Sequence, residues 1–146
     1  MNYVLMDNSH IDDIVELEKM CFHDPWSANS IASELVNPLS CWIVAMDDER
    51  LAGYVGSQSV LGWADMMNLA VHPDYRCQGV ATELVNALIT QLKQADVTCL
   101  TLEVRKSNTA AISLYEKLGF IGVGRRPGYY HNPKEDALIL RKEWSL

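Results

Sequence analysis

A loop that runs directly into a helical pattern is the strongest chemical signal in the chain. Its sequence is Arg76-Cys77-Gln78-Gly79-Val80-Ala81, and apolar residues continue from it at helical spacing. The first backbone N–H groups of a helix have no partner inside the helix, and the helix dipole is positive there, so this segment could hold an anion such as phosphate. Gly79 allows a ligand to approach the backbone closely, and Arg76 adds a positive charge. On the loop alone, an ordinary turn is an equally good interpretation, because neither a Walker loop nor a GxGxxG motif is present.

A carboxylate in a strand-like segment is the second signal. Leu100, Leu102 and Val104 share one face of a predicted strand, and Glu103 lies on the opposite face. Burying a carboxylate there is costly unless it is paired or used. One interpretation is a surface strand that faces solvent. The other is a general base that takes a proton from an amine, which needs partial burial or a bridging water because a carboxylate is a far weaker base than an amine.

An aromatic hydroxyl follows on the next predicted helix. Asn108 is the expected cap of this helix, and Ala111, Ile112 and Leu118 form its apolar face. Tyr115 falls on that same face. On pattern alone, Tyr115 is therefore an aromatic residue of the core.

The spacing of apolar residues indicates which elements must position these groups. The predicted order is β, α, α, β, β, β, α, β, α, β, β, which is typical of an α/β or layered α+β fold with a mixed sheet. Asn8 or Ser9 is expected to cap the first helix, and Ser27 the second. Strands at 41–46, 51–60 and 63–71 should form an antiparallel meander. The remaining predicted elements are a helix over 80–95, a strand over 97–104, a helix from Asn108 to Gly119, and strands over 120–125 and 136–143.

Taken together and in order, several motifs over residues 40–143 resemble the GCN5-related N-acetyltransferases, the GNAT family. Each motif is weak alone, and their combination is specific. The resemblance implies the GNAT fold, a mixed sheet of about seven strands splayed in the middle with about four helices. The motifs are Leu69-Ala70-Val71-His72-Pro73, Arg76-x-x-Gly79-x-Ala81, Leu102-Glu103-Val104-Arg105, Asn108-x-x-Ala111-x-x-Leu114-Tyr115-x-x-Leu118-Gly119-Phe120, and the tail Gly128-Tyr129-Tyr130-x5-Asp136-Ala137.

The resemblance implies acetyl-CoA as the acetyl donor and no metal. The backbone of residues 69–71 would lie along the pantetheine arm, and the amides of residues 77–82 would hold the pyrophosphate. Ala81 and Cys77 depart from the usual family pattern, which often has glycine at the first position and glycine or arginine at the second, but neither change blocks binding by backbone groups. The thiol of Cys77 could be oxidised beside the cofactor. The implied cofactor-binding residues are Leu69, Ala70, Val71, Arg76, Cys77, Gln78, Gly79, Val80, Ala81, Thr82 and Asn108.

The resemblance also implies direct attack of an amine on the thioester, with no Cys or Ser nucleophile. Glu103 would be the general base, and Tyr115 would protonate the departing CoA thiolate. A backbone amide near Ala70 or Val71 would face the carbonyl oxygen as it becomes negative.

The pKa of the acceptor amine separates the candidate substrates. An α-amine has a pKa of about 7.7–8.0 against about 10.4 for lysine, so it loses its proton more easily by about 2.5 units, or about 3.4 kcal/mol. This difference favours a protein N-terminus, and the resemblance points to the N-terminal alanine of a bacterial small-subunit ribosomal protein. Tyr129, Tyr130 and Trp26 would bind the peptide, with ordinary aromatic packing as the alternative for each. Two other functions stay open: acetylation of another amine, such as a different N-terminus, a lysine or a polyamine, and a non-catalytic acyl-CoA-sensing module.

Composition excludes several other classes of protein. The chain has 146 residues, 49% of them hydrophobic, and its 19 acidic and 12 basic side chains give a net charge of −7. One N-acetyltransferase domain over residues 1–146 accounts for this length. The excess of acid argues against nucleic-acid binding, no apolar run is long enough for a membrane span, and the His and Cys residues lack metal-ligand spacing. We therefore expect a cytoplasmic protein, a monomer or weak dimer, with reduced cysteines.

Overall fold

The computed structural model describes residues 1–146 and contains the elements in the predicted order. The helices are α1 (Ile11–Cys21), α2 (Ala28–Leu35), α3 (Val80–Gln94) and α4 (Thr109–Lys117). The strands are β1 (Asn2–Leu5), β2 (Ser40–Asp47), β3 (Arg50–Val60), β4 (Trp63–Val71), β5 (Cys99–Arg105), β6 (Ile121–Tyr130) and β7 (Glu135–Glu143).

One sheet of seven strands, in the order β1-β2-β3-β4-β5-β7-β6, runs through the molecule. All neighbours are antiparallel except β4 and β5. This parallel pair is bonded only where Trp63–Asp65 faces Cys99–Thr101. Beyond these residues the two strands diverge and leave a gap, so the predicted mixed sheet with a central splay is confirmed.

A β-bulge lies where β4 separates from β5. Gly56 pairs with Asn68 and the next residue of β3, Ser57, pairs with Met66, so Met67 is the extra residue. A bulge of this kind bends a strand and increases its twist. Here it turns the second half of β4 away from β5.

The helices cover the two faces of the sheet and form two apolar cores. The larger core combines α3 with the end of α4, where Tyr115 packs, and with the apolar face of β5. The smaller core lies under α1 and α2 and includes Ile14 and Ile31, both fully buried. Alternation along β5 therefore sends Leu100, Leu102 and Val104 into the larger core and Glu103 to the α1–α2 side.

Two local predictions need correction. The prediction that Asn8 or Ser9 caps α1 is wrong: the N-cap residue of α1 is His10, and the side-chain cap is Asp7, one turn earlier. The Asp7 carboxylate accepts from Ser9 N at 2.8 Å, and the His10 ring accepts from Asp7 N at 3.0 Å. One 3₁₀ turn then precedes the helix. β6 also continues beyond the predicted 120–125 to Tyr130, because the Asp136 carboxylate accepts from Gly128 N at 2.8 Å and holds the strand where its ladder is irregular.

Candidate active site

The gap between β4 and β5 exposes backbone groups of β4. His72 N donates to Ala52 O on β3 at 2.7 Å, and alternation along an antiparallel strand directs Ala70 toward β3 as well. Leu69 and Val71 then direct their N–H and C=O groups away from β3 and into the gap, where Val71 O already accepts from Arg76 Nε. The sequence predicts that the amide of Ala70 or Val71 faces the carbonyl oxygen of the thioester. Alternation turns the Ala70 amide toward β3 and leaves the amides of Val71 and Leu69 facing the gap. The Ala70 side chain is buried in the smaller core.

The loop before α3 presents a run of unbonded amides. The first backbone hydrogen bond of the helix is donated by Glu83 N to Gly79 O, and the N–H groups of residues 77–82 donate to no acceptor in the protein. Gly79 has φ +80°, and no atom lies within 4 Å of the position that a Cβ would occupy there. Six free donors around an open space at a helix N-terminus suit a pyrophosphate.

Two polar side chains of this loop, and that of Asn108 at the start of α4, are held by the protein itself. Arg76 donates from Nε to Val71 O at 3.2 Å, and its terminal nitrogen lies 3.6 Å from Cys21 Sγ. Gln78 donates to Asp74 O at 3.2 Å. Asn108 caps α4 as predicted, since its Oδ1 accepts from Ala111 N at 3.1 Å, and the residue is exposed. The backbone of the loop is therefore freer than its side chains to meet a ligand.

Glu103 lies partly buried on the α1–α2 side of the sheet. Its carboxylate oxygen is 3.3 Å from Nε of Arg126, and 26% of its side chain is exposed. Interaction with this carboxylate raises the pKa of the Tyr129 hydroxyl. The carboxylate is thus open to a ligand on one side and paired on the other.

Tyr115 is a core aromatic, as its spacing predicts, and its hydroxyl also reaches β4. The ring packs edge to face on Phe120 at 5.6 Å, and the hydroxyl lies 3.7 Å from Sδ of Met66, beside the bulge. Burial, with a smaller contribution from Tyr130, raises the pKa of Tyr115 to about 12. The hydroxyl therefore keeps its proton throughout the neutral range.

The irregular end of β6 brings two more tyrosines to Glu103. The rings of Tyr129 and Tyr130 pack edge to face at 5.1 Å, and the Arg105 guanidinium lies 4.4 Å above the Tyr130 ring. Burial, and next the charge of Glu103, raise the pKa of Tyr130 to about 12. Tyr129 and Tyr130 therefore lie close to Glu103, and Tyr130 is also close enough to Tyr115 to raise its pKa slightly.

Trp26 lies on the connection between α1 and α2 and is half-buried. Its ring packs edge to face on Trp42 at 5.4 Å, and Trp42 in turn stacks on Tyr54 at 5.7 Å. Gly56 makes room for this stack, because a Cβ there would come within 2.3 Å of the Trp42 ring. Much of the Trp26 ring is therefore used in packing against Trp42, and the rest is exposed.

Glu18 is a polar residue of this region that the sequence prediction missed. It is fully buried, and its two carboxylate oxygens accept from Nδ2 of Asn68 at 2.9 and 3.1 Å. Trp26 N lies 3.4 Å from the same carboxylate. Burial raises the pKa of Glu18, and the neighbouring donors offset this only in part. The available signal was its helical spacing, since Glu18 falls on the same stripe of α1 as Ile14 and Leu17.

Two negative observations complete the description. No three His, Cys, Asp or Glu side chains come together in an arrangement that could hold a metal ion. None of the helices has the length and apolar character needed to cross a bilayer.

Comparison with known proteins gives the same family as the geometry. The profile of the Acetyltransferase (GNAT) family matches residues 11–120. A Bacillus subtilis (strain 168) protein, provisionally named a [ribosomal protein bS18]-alanine N-acetyltransferase, is 39% identical over 131 residues, 89% of this chain and 87% of that protein. The [ribosomal protein bS18]-alanine N-acetyltransferase of Escherichia coli (strain K12) is 34% identical over 137 residues, 92% of each chain.

A solved structure shows that the likeness extends to the whole fold. The crystal structure of the ribosomal-protein-S18-alanine N-acetyltransferase from Escherichia coli superposes with a TM-score of 0.90 at 33% identity, covering 99% of this chain and 94% of that one. Members of the family use acetyl-CoA, which suits the unbonded amides before α3. The chain belongs to the GNAT family of N-acetyltransferases.

Proposed function

We propose that this protein transfers the acetyl group of acetyl-CoA to the N-terminal α-amine of a protein, and that its substrate is the N-terminal alanine of ribosomal protein bS18. The observation that carries the proposal is the splay between β4 and β5, which has the partly buried Glu103 carboxylate on the part of β5 that is not paired with β4 and leads along β4 to the unbonded amides before α3. The same substrate is printed in the names of relatives that align with nearly the full chain. We further propose that residues 1–146 act as one domain in the cytoplasm.

The donor side of the site uses backbone groups. The free amides of residues 77–82 bind the pyrophosphate, and the gap-facing groups of Leu69 together with the N–H of Val71 bond the pantetheine arm. A gap-facing amide of β4 also meets the carbonyl oxygen as it becomes negative. Asn108 contacts the cofactor from the start of α4, where its exposed amide nitrogen is free to donate.

The acceptor side uses Glu103 and the tyrosines around it. Glu103 takes a proton from the α-amine, directly or through a water molecule, so that the neutral amine attacks the thioester. Tyr129 and Tyr130 line the slot for the first residues of the peptide, and the exposed part of Trp26 closes it from the α1–α2 side. Tyr115 holds a proton beside β4 and delivers it to the departing thiolate.

The chemistry of a single carboxylate base favours an α-amine. The α-amine loses its proton with a pKa of about 7.7–8.0, whereas lysine requires about 10.4, so one carboxylate has much less to overcome in the first case. The CoA thiol has a pKa near that of cysteine, about 8.5, so its thiolate leaves readily with modest help from an acid.

One assay tests the function. The protein is incubated with labelled acetyl-CoA and peptides that begin with Ala, Ser or Met, beside an N-terminally blocked peptide that contains lysine. We expect label on the peptide beginning with Ala, and strongest on the N-terminal sequence of bS18. Label only on the blocked peptide would replace the N-terminal function with lysine acetylation. Label on none of them, with acetyl-CoA still bound, would favour a sensing module over an enzyme.

A further inference from the structure

An arginine that the acetyl-transfer chemistry does not require lies directly on the proposed base. Arg126 belongs to β6, which is two strands away from Glu103 on β5 because β7 lies between them. Its guanidinium nevertheless reaches within 3.3 Å of the Glu103 carboxylate. The residue of β7 opposite Arg126 is Ala137, whose short side chain leaves the path across the strand open.

The Arg126 side chain has a defined place without being buried. Its guanidinium lies 5.5 Å from the centre of the Tyr129 ring, a cation–π contact, and 57% of the side chain is exposed. One side of the ion pair is thus supported by a tyrosine of the peptide slot. The other side is open to solvent and to an incoming peptide.

The other charged groups of the site are paired among themselves. Arg105, on the same face of β5 as Glu103, donates to His131 O at 3.0 Å and to Pro133 O at 2.9 Å, and it pairs with Glu135 on β7 at 3.3 Å. The neutral hydroxyls near Glu103 are those of Tyr129 and Tyr130 on β6. Arg141 on β7 donates to Thr101, further along β5. Arg126 is therefore the cation that forms an ion pair with Glu103.

A carboxylate without a neighbouring positive charge would favour the protonated, unreactive form of the acceptor amine. Opposite charges close together favour the charged forms, so Glu103 by itself would stabilise the ammonium form of a bound amine, which cannot attack a thioester. A positive charge at the same place has the opposite effect on that ammonium. Two charges of opposite sign leave the proton affinity of the amine close to its value in water.

We propose that Arg126 is a positioning residue of the acceptor site, which holds the Glu103 carboxylate and opposes the positive charge of a protonated acceptor amine, so that the amine is bound in its neutral, reactive form. This inference rests on the proposed function, because it needs an amine acceptor at Glu103. The chemical class of acceptor that it suits is an α-amine, which is already partly neutral near pH 7.5.

The size of the effect follows from Coulomb's law. A unit charge about 5 Å from the amine would shift the pKa of the bound amine by more than about two units at an effective dielectric constant of about 20. The exposure of Arg126 to solvent reduces this shift to about one unit. Removal of the charge should strengthen binding of the ammonium form about tenfold. Binding of the neutral form should change little.

This difference predicts an unusual kinetic pattern for Arg126→Gln with a peptide beginning with Ala. The acidic limb of the kcat–pH profile should move up by about one pH unit, so kcat at pH 7 falls about five- to tenfold. KM at pH 7 should fall by a similar factor, because the unreactive ammonium form binds more tightly. kcat/KM should stay within about twofold of the original value, and kcat should recover above pH 9.

Matched variants separate charge from packing. Arg126→Met keeps an aliphatic side chain on Tyr129 and should show the same shift, and Arg126→Lys should restore the original profile. Arg125→Gln removes an equally exposed positive charge from the neighbouring residue, which pairs with Asp136 instead of Glu103, and should leave the profile unchanged. Acetyl-CoA affinity, measured by titration calorimetry, should be the same for every variant.

The outcomes distinguish this inference from the function on which it rests. If the unmodified protein acetylates the peptide and Arg126→Gln lowers kcat equally at every pH, or not at all, Arg126 has no electrostatic role and the inference is wrong. A rise in KM at pH 7 would also overturn it. If the unmodified protein acetylates no N-terminus, the proposed function fails and this inference fails with it.

Discussion

The carboxylate of Glu18 and the side-chain amide of Asn68 are joined by two contacts of 2.9 and 3.1 Å, although the residues lie 50 positions apart in the sequence. Glu18 is in the third turn of α1, and Asn68 follows the bulged Met67 in β4. The same carboxylate lies 3.4 Å from Trp26 N. The buried Glu18 carboxylate thus bonds both to the α1–α2 connection, through Trp26 N, and to β4, through Asn68.

Glu18→Ala should destabilise the protein, and Glu18→Gln should not. Loss of the whole side chain leaves the Asn68 amide unpaired beside a cavity, which costs about 2–4 kcal/mol in the free energy of unfolding. Glutamine keeps an acceptor oxygen of nearly the same size. Urea unfolding of the three proteins at pH 7.5 measures the difference, and equal stabilities for Glu18→Ala and the unmodified chain would contradict the role.

The pH dependence of Glu18→Gln has a definite sign. Burial raises the pKa of Glu18, so the folded state prefers its protonated form, and ionisation costs stability as pH rises from the unfolded pKa through the folded one. Glutamine does not ionise and pays no such cost. The stability of Glu18→Gln relative to the unmodified protein should therefore increase between about pH 4 and neutral pH. Unfolding curves at pH 4.5 and 7.5 provide the comparison.

Glu103→Gln should abolish most turnover without weakening the donor site. A positioned general base contributes about 10²- to 10⁴-fold, and the glutamine amide cannot accept the proton. kcat for a peptide beginning with Ala should fall by that factor, while the Kd for acetyl-CoA stays unchanged. Full turnover across neutral pH would show that Glu103 is not the base.

Tyr115→Phe should lower kcat by about a hundredfold or less. The thiolate is a tolerable leaving group, so the acid assists the reaction without being essential. Because the pKa of Tyr115 is raised to about 12, its hydroxyl stays protonated, and the unmodified protein should show no alkaline decline from this group below about pH 11. The ring remains in the core, so the melting temperature should hardly change. Unaltered rate and pH profile would reduce Tyr115 to a packing role.

Gly79→Ala should weaken acetyl-CoA binding at least tenfold. The added methyl group points into the open space in front of the free amides, where the pyrophosphate is proposed to lie, and the φ of +80° adds about 1 kcal/mol of strain. Gly62→Ala is a matched control, since Gly62 has φ +83° in the β3–β4 turn, away from this loop. The control should lose similar stability and keep its affinity for acetyl-CoA. Equal affinities for the two variants would contradict the assignment of the loop.

Peptide binding should depend on salt. Residues 1–50 contain 10 acidic and 2 basic side chains, whereas residues 51–146 contain 9 and 10. The acidic part includes α1 and α2, on the face of the sheet where Glu103 lies. A cationic peptide should therefore associate more slowly as ionic strength rises, because the attraction is screened. Stopped-flow measurement of the association rate between about 20 and 300 mM salt tests this. An association rate that does not change with salt would show that the acidic residues serve solubility alone.

Patterns local to the sequence were enough to predict the elements and part of the site. Alternation along β5 correctly separated Glu103 from its apolar neighbours, and the spacing after Asn108 correctly placed both the cap and the buried face of α4. These properties depend on residues within about one turn or one strand of each other. The cap before α1 was missed even at this range, because Asp7, Asn8 and Ser9 are all residues that can cap a helix.

Pairings between distant residues were decided only by the tertiary structure. The sheet order places β7 between β5 and β6, which brings Arg126 across the strand to Glu103, and the bulge at Met67 sets Asn68 against Glu18. The types of these residues are visible in the sequence, but nothing in the periodicity of one segment records its partner in another. The sequence by itself determined which groups can hold an anion, accept a proton or donate one. The packing of the sheet and helices determined which of them meet, because contact between remote segments depends on strand register and on shared burial.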